Sequence, residues 1–193
     1  LSAGSIGSPH ILQVSGIGPQ HHLQSIGVKT VHDLPGVGQN LQDHYVSRIS
    51  HRVKNTVSIN QLSRGIRLLR EIGSWAFQGK GALTFGITSA MVFSRSREGL
   101  SSPDIQLLFT PASYSQKTHG ELEKEGGMTV VVCPVRPSSR GTIMAESSDA
   151  LIRPLIRPNY LSDPDDIRVM IAGLRQAREI LAQPAFKPFS VEE

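Results

Sequence analysis

The chain has 193 residues, of which 38% are hydrophobic, so it can bury a core and is not a disordered polymer. Its net charge of +4 is spread along the chain and only 5% of residues are aromatic, which argues against a nucleic-acid-binding protein. The single cysteine, Cys133, excludes an internal disulfide and lies in an apolar run, where we expect a buried side chain. The sequence has no apolar run long enough to span a bilayer.

The first 45 residues predict short helices separated by glycine turns. Residues 9–14 predict a helix with Ser8 as its N-cap, because proline suits the first helical position. The segment "SGIGP" ends this helix, and a second one follows in "QHHLQSIGV", where Gly27 closes it. The segment "KTVHDLPGVGQNLQDH" predicts a loop with several glycines.

The middle of the chain changes from helical to strand periodicity. Apolar residues recur near helical spacing from Leu62 to Ile72, and Gly79 and Gly81 end that helical region. Strand-forming runs then lie near 87–94, 104–110, 128–136 and 141–147. We expect these four runs to form one mainly antiparallel sheet.

The clearest element is a long helix over residues 164–182. Asp163 suits the N-cap, Pro164 suits the first position, and the acidic residues that follow suit the positive helix end. We expect this helix to pack on one face of the sheet. Its predicted apolar stripe consists of Ile167, Met170, Ile171, Leu174 and Leu181. The order of elements predicts an α+β fold.

General motif chemistry shows no self-contained catalytic centre. The seven histidines, His119 among them, lack the spacing of a metal site, so we expect no metal. Neither a G-x-G-x-x-G fingerprint nor a G-x-S-x-G elbow is present in these 193 residues.

The opening stretch resembles the second signature motif of the glucose–methanol–choline oxidoreductases, which are FAD enzymes that oxidise alcohols. The matching positions are Gly4, Ser5, Ser8, Pro9, Ile11, Leu12, Ser15, Gly16, Ile17 and Gly18. "HDLPGVGQNLQDH", "GALTFGITSAMVFSRS", "PDIQLLFTPA", "VCPVRPSSRGTI" and "RPNYLSDPDD" resemble later parts of the family, in its choline-dehydrogenase-like, FAD-dependent alcohol dehydrogenase branch. Ala150 departs from the family, which often has proline there.

The resemblance implies a domain organisation. Residues 1–45 would be the tail of a Rossmann-like FAD-binding domain, and residues 46–193 a substrate-binding domain incomplete at its C-terminus. We therefore expect an internal fragment that lacks the dinucleotide fingerprint, with the catalytic histidine beyond Glu193. Residues 1–193 alone should then bind FAD weakly or not at all and oxidise no alcohol.

The resemblance also implies site residues. FAD contacts are expected from Ser2, Ala3, Gly4, Ser8, Asn40, Asp43 and His44. The alcohol substrate is expected to contact Thr84, Phe85, Phe109 and Thr110. We expect no catalytic residue within the chain, and Arg136 and Arg140 are expected to be structural ion partners.

The implied reaction is oxidation of an alcohol to an aldehyde or ketone by hydride transfer to the flavin. Choline-type, aliphatic, aromatic and polyol alcohols all stay open, as does the final electron acceptor. The alternatives are a non-catalytic binding or structural descendant of the same fold, or an unrelated basic binding module. We expect a cytoplasmic location and leave peripheral membrane association open.

Overall fold

A computed structural model of the chain describes residues 1–115, 117–118 and 120–191, so His119 lies outside the described residues. The helices are α1 (Gly4–Val14), α2 (Gln20–Ser25), α3 (Ile59–Leu62), α4 (Gly65–Gln78) and α5 (Pro164–Leu181). The strands are β1 (Ile17–Gly18), β2 (His32–Asp33), β3 (Ser47–Arg52), β4 (Ala90–Ser94), β5 (Ile105–Thr110), β6 (Gly127–Pro134), β7 (Thr142–Met144) and β8 (Leu155–Arg157). A short 3-10 turn covers Ala82–Thr84.

Helices and antiparallel sheets occur together, which confirms the predicted α+β class. The chain divides into two compact units. Unit 1 combines Leu1–Tyr45 with Arg136–Ile167, and unit 2 combines Val46–Val135 with the chain from Arg168 onward. Residues 136–167 thus join the first unit, whereas the expected domains were 1–45 and 46–193. The assignment of those domains to cofactor and substrate stays a prediction.

Unit 2 is built on a four-stranded antiparallel sheet with the order β3–β6–β5–β4. Strands β4, β5 and β6 lie in the predicted runs near 87–94, 104–110 and 128–136. The fourth expected strand was assigned to the wrong sheet, because β7 pairs with β8 in a separate two-stranded sheet. The fourth strand of this sheet is β3, "SRISHR". The sequence pattern does not predict it, because most of its residues are polar or charged.

Helix α5 packs on one face of this sheet, as predicted. Met170, Ala177 and Leu181 are at most 5% exposed and belong to one core cluster with buried residues of β3, β5 and β6. The predicted apolar stripe was wrong at two positions, since Ile167 and Ile171 are each 43% exposed. The buried face of α5 instead runs through Asp166, Val169, Met170, Gly173, Ala177 and Leu181. Small residues at positions 173 and 177 let the helix approach the sheet closely.

Helix α1 begins at Gly4, five residues before the predicted start at Pro9. Ser8 is therefore not the N-cap, and Pro9 lies inside the helix. The low helix propensity of "GSIGS" explains why the sequence pattern missed this first turn. The Ser8 hydroxyl accepts a hydrogen bond from the Ala3 N–H at 3.2 Å and so ties the residue before the helix to its second turn.

Unit 1 contains a second pairing edge along β7. Gly141 and Leu41 exchange backbone hydrogen bonds of 2.8 and 3.0 Å, and the Ile143 N–H donates to the Gly38 carbonyl at 2.7 Å. Gly38 has a φ of +81°, and a Cβ there would lie 2.3 Å from the Ile143 carbonyl oxygen, so only glycine fits. The buried Gln13 side chain completes this edge: its Nε2 donates to the Ile143 carbonyl, and its Oε1 accepts from the Ala145 N–H, both at 2.9 Å.

Helix α4 confirms the helical period from Ile66 to Ile72, whereas Leu62 belongs to the separate helix α3. Helix α4 is closed by Gly79, which adopts a left-handed φ of +63°. Its apolar residues are nevertheless exposed: Ile66 and Leu69 are each 64% exposed and Phe77 is 90% exposed. No helix among the described residues has the length and hydropathy needed to cross a membrane.

A pair of glycine substitutions tests the packing of α5. A Cβ at Gly173 would lie 2.4 Å from Val132 Cγ1 and 3.2 Å from Ile105 Cγ2, so Gly173→Ala should lower the free energy of unfolding by about 1–3 kcal/mol. The matched change is Gly73→Ala in α4, where nothing lies within 4 Å of the new Cβ. This change should raise the free energy of unfolding by up to about 1 kcal/mol through helix propensity. Urea denaturation of the two variants measures both; a stabilising Gly173→Ala would contradict the packing.

Candidate functional site

The first expected FAD contacts lie at the start of α1. Ser2, Ala3 and Gly4 are exposed, and the helix start has no side-chain cap. The first backbone N–H groups of a helix have no partner within it, and here small residues surround them. A Cβ at Gly7 would lie 3.0 Å from Ala3 Cβ, so this turn requires small residues. The free donors therefore belong to the turn at Gly4, because Ser8 and Pro9 lie inside the helix and do not begin it.

The other expected FAD contacts lie on the exposed loop that follows β2. Asn40 has a left-handed φ of +62°, and Leu41 beside it pairs with Gly141. The Asp43 Oδ1 accepts a hydrogen bond from the His44 N–H at 2.9 Å. The Asp43 Oδ2 accepts a hydrogen bond from the hydroxyl of Tyr160. The loop is thus joined at two places to the chain between 136 and 167, within unit 1.

Two of the four expected substrate contacts, Thr84 and Phe85, are exposed after α4. The Thr84 hydroxyl donates to the Gly81 carbonyl at 2.7 Å, which closes the 3-10 turn. Phe85 follows in extended conformation and is 54% exposed, so its ring is available for contact.

The other two, Phe109 and Thr110, point to opposite faces of β5, as neighbours on a strand must. Phe109 lies on the face covered by α5, where its ring centroid is 6.0 Å from that of Phe186. It lines a mostly apolar cavity of about 200 Å³ together with residues such as Val57, Met128 and Phe189. Thr110 is 5% exposed and buried on the other face. The structure therefore does not bring these two side chains to one surface.

The described residues include one strongly stabilised buried carboxylate, Asp166 in the first turn of α5. It accepts hydrogen bonds from the Ser138 N–H at 2.7 Å, the Ser139 N–H at 2.9 Å and the Ser139 hydroxyl. Burial acts to raise the pKa of Asp166, but these hydrogen bonds and the Arg140 charge outweigh it and hold the pKa below its usual value. Arg140 itself donates hydrogen bonds to the backbone carbonyls of residues 137–139. It therefore has the expected structural role, but the acceptors of these hydrogen bonds are carbonyl groups and not the expected ionic partner.

No cluster of three metal-binding side chains occurs among residues 1–115, 117–118 and 120–191. Cys133 is buried, as predicted. Two residues of importance were missed from sequence, Tyr160 and Gln13. Gln13 had one usable signal, since it is the one amide in the apolar run "ILQV" of a helix.

Comparison with known proteins gives the family. Two parts of the chain, residues 1–46 and 137–193, match the GMC oxidoreductase family. The chain is 40% identical over its whole length to an oxygen-dependent choline dehydrogenase from Photobacterium profundum, and 37% identical over 96% of it to an alcohol dehydrogenase [acceptor] from Pseudomonas putida. A solved variant of formate oxidase from Aspergillus oryzae, studied for its FAD modification, is 25% identical and superposes with a TM-score of 0.84 over 98% of this chain and 38% of its own. The chain belongs to the GMC oxidoreductase family.

The chain spans about a third, 34%, of the length of the two curated relatives. Residues 1–46 carry the start of α1 and the Asp43 loop, and residues 137–193 carry Tyr160 and Asp166. The two matched parts therefore contain most of the unit 1 contacts described above.

The Asp166 carboxylate predicts a specific pH dependence of stability. Because its pKa is lower in the folded chain than when unfolded, its contribution is complete above about pH 4, the value for an unfolded aspartate, and is lost as the pH falls through the folded pKa. Asp166→Asn should lower the free energy of unfolding at pH 7 by about 1.5–3 kcal/mol, since the Ser138 and Ser139 donors lose a charged acceptor. Urea titrations of both proteins between pH 7 and pH 2 should show this difference shrinking below about pH 4. A difference that stays constant with pH would show that Asp166 is not ionised in the folded chain.

Proposed function

We propose that this chain forms part of the FAD-binding and substrate-binding regions of an oxidoreductase that oxidises an alcohol to an aldehyde or ketone. The observation that carries the proposal is the start of α1, where exposed, uncapped N–H groups lie among small residues. Such a helix start suits the phosphate groups of a dinucleotide. Membership of the GMC oxidoreductase family supports the proposal, as do relatives named choline dehydrogenase and alcohol dehydrogenase.

The residues present fit FAD. Ser2, Ala3 and Gly4 leave room for a cofactor to approach the backbone, and nothing lies within 4 Å of a Cβ built at Gly4.

The roles of the chain's own residues are binding and orientation. The N–H groups at Gly4 would hold a phosphate oxygen, with the Ser2 and Ser8 hydroxyls beside them. Asn40, Asp43 and His44 would contact the cofactor from the loop after β2. Bound FAD would supply the acceptor for the hydride that leaves the alcohol carbon. We assign removal of the hydroxyl proton to none of the described residues.

The four residues expected to contact the substrate differ in how far their side chains are exposed. Thr84 and Phe85 are exposed and can touch an alcohol directly. Phe109 packs against Phe186, and Thr110 is buried, so these two would shape the site through the packing of β5. The alternative, a non-catalytic binding or structural descendant of the same fold, predicts a protein that oxidises no alcohol.

The test is FAD binding and dye-linked alcohol oxidation by the complete gene product, with Gly4→Glu as the variant. A glutamate there places a negative charge at the proposed phosphate site, so FAD affinity should fall at least tenfold. Gly27→Glu is the matched control, because Gly27 has the same left-handed φ, +75° against +74°, and equally open surroundings. Both variants place a side chain at a left-handed φ and should lose stability, Gly27→Glu somewhat more because it puts a negative charge beside the C-terminus of α2. Gly27→Glu should nevertheless bind FAD normally. Equal FAD affinity in the two variants would contradict the assignment of the site.

A further inference from the structure

Tyr160 connects the two family-matched parts of the chain, residues 1–46 and 137–193. It does so by direct contact with Asp43, one of the proposed cofactor residues. Its hydroxyl donates a hydrogen bond to Asp43 Oδ2, which lies 117 positions earlier in the chain. Its ring also packs on Tyr45, with the centroids 5.4 Å apart and the planes tilted by 46°. Tyr160 therefore contacts the Asp43 loop both through its hydroxyl and through its ring.

The backbone around Tyr160 is held in an uncommon conformation. Asn159 and Leu161, the residues on either side, both have a left-handed φ of +57°. Asparagine tolerates this region, but a leucine there is strained, and such strain persists where the surrounding structure enforces it. The Asn159 Nδ2 donates to the Arg140 carbonyl at 3.1 Å, which fixes the turn from one side. The chain thus maintains a strained turn that presents the Tyr160 side chain.

Both oxygens of Asp43 are engaged as a result. Oδ2 accepts from Tyr160 and Oδ1 accepts from the His44 N–H at 2.9 Å, so the carboxylate cannot rotate without breaking one of the two bonds. The hydrogen bond to Asp43 is the main cause that raises the pKa of Tyr160, with burial and the Asp43 charge adding to it. Tyr160 therefore keeps its proton, and its role as donor, throughout the neutral pH range.

Stability alone gives a weak reason for this arrangement. Tyr160 is 41% exposed and Asp43 is exposed, and a hydrogen bond between exposed groups adds little to the free energy of unfolding. A strained turn that serves an exposed hydrogen bond is better explained by a need for fixed geometry at the loop than by a need for stability.

We propose that Tyr160 is a positioning residue, which orients the Asp43 carboxylate and the His44 backbone for contact with FAD. This inference rests on the proposed function, because it takes the Asp43 loop to be part of the cofactor site. Tyr160 itself need not touch the cofactor. Its effect reaches FAD through Asp43, so the two residues should act as one unit in cofactor binding.

A double-mutant cycle on the complete gene product tests this inference. The variants are Tyr160→Phe, which keeps the ring on Tyr45, Asp43→Asn, and the two combined. Measured quantities are the Kd for FAD, the visible circular dichroism of the bound flavin, and the Tm without FAD. We expect Tyr160→Phe to raise the Kd three- to tenfold and to change the flavin spectrum, with the Tm without FAD little altered. The combined variant should bind FAD as Asp43→Asn does.

Tyr45→Phe is the matched control, since it also removes one phenol hydroxyl from the ring pair but leaves the donor to Asp43 in place. It should bind FAD as the unchanged protein does. Normal FAD binding by Tyr160→Phe would overturn the positioning role while the proposed function stands. The same conclusion would follow if the combined variant raised the Kd by the product of the two increases that Tyr160→Phe and Asp43→Asn cause separately. Absence of FAD binding by the unchanged protein would overturn the proposed function and this inference with it.

Discussion

The buried side-chain amide of Gln13 acts as a strand partner for β7. It is fully buried, and it bonds the Ile143 carbonyl and the Ala145 N–H, about 130 residues away in the chain. Leaving either backbone group buried without a partner would cost about 1–3 kcal/mol. Gly38 continues the same edge and must be glycine because the Ile143 carbonyl lies where its Cβ would be. The two family-matched parts of the chain become one unit through this edge.

The candidate cofactor residues depend on that edge for their positions. Gln13 lies on the helix that follows Ser2 and Ala3 and begins at Gly4, so the bond to β7 fixes this helix within unit 1. The loop with Asp43 leaves the edge just after Leu41, and Tyr160 holds its far end. Distant segments thus fix a short exposed helix start and an exposed loop, neither of which buries enough surface to hold its own geometry. Preorganised donors and acceptors of this kind are what binding of a polar cofactor requires.

Local signals in the sequence predict where the helices and strands lie better than they predict which of them pair or pack together. Helix α5 follows from Asp163, Pro164 and the acidic residues after them, and β5 and β6 follow from their apolar runs. The sheet assignment failed at β7 because strand periodicity gives no information on which strand lies beside it. The start of α1 is not predicted by the sequence pattern because glycine has a low helix propensity and serine favours caps and turns.

The same contrast between local signals and contacts of distant residues applies to the candidate site. The family motif pointed to Ser2 to Gly4 and to the Asp43 loop, and the structure shows both as exposed parts of unit 1. Tyr160 was not predicted, because its role depends on a hydrogen bond to a residue 117 positions away. The sequence predicts for Asp166 only a charge that suits the helix start, because a sequence does not show that a turn of two serines will fold onto the carboxylate.

Amide hydrogen exchange at Ala145 tests the central claim, that a side-chain amide completes the edge of β7. The Ala145 N–H has the Gln13 side chain as its acceptor. It should therefore be protected from exchange as strongly as the Gly141 N–H, which has a backbone acceptor on the same edge. The two amides should exchange through the same local unfolding event and so show the same opening free energy. Gln13→Leu should abolish the protection of Ala145. An Ala145 amide that exchanges at the rate of an unstructured chain while Gly141 stays protected would contradict the account.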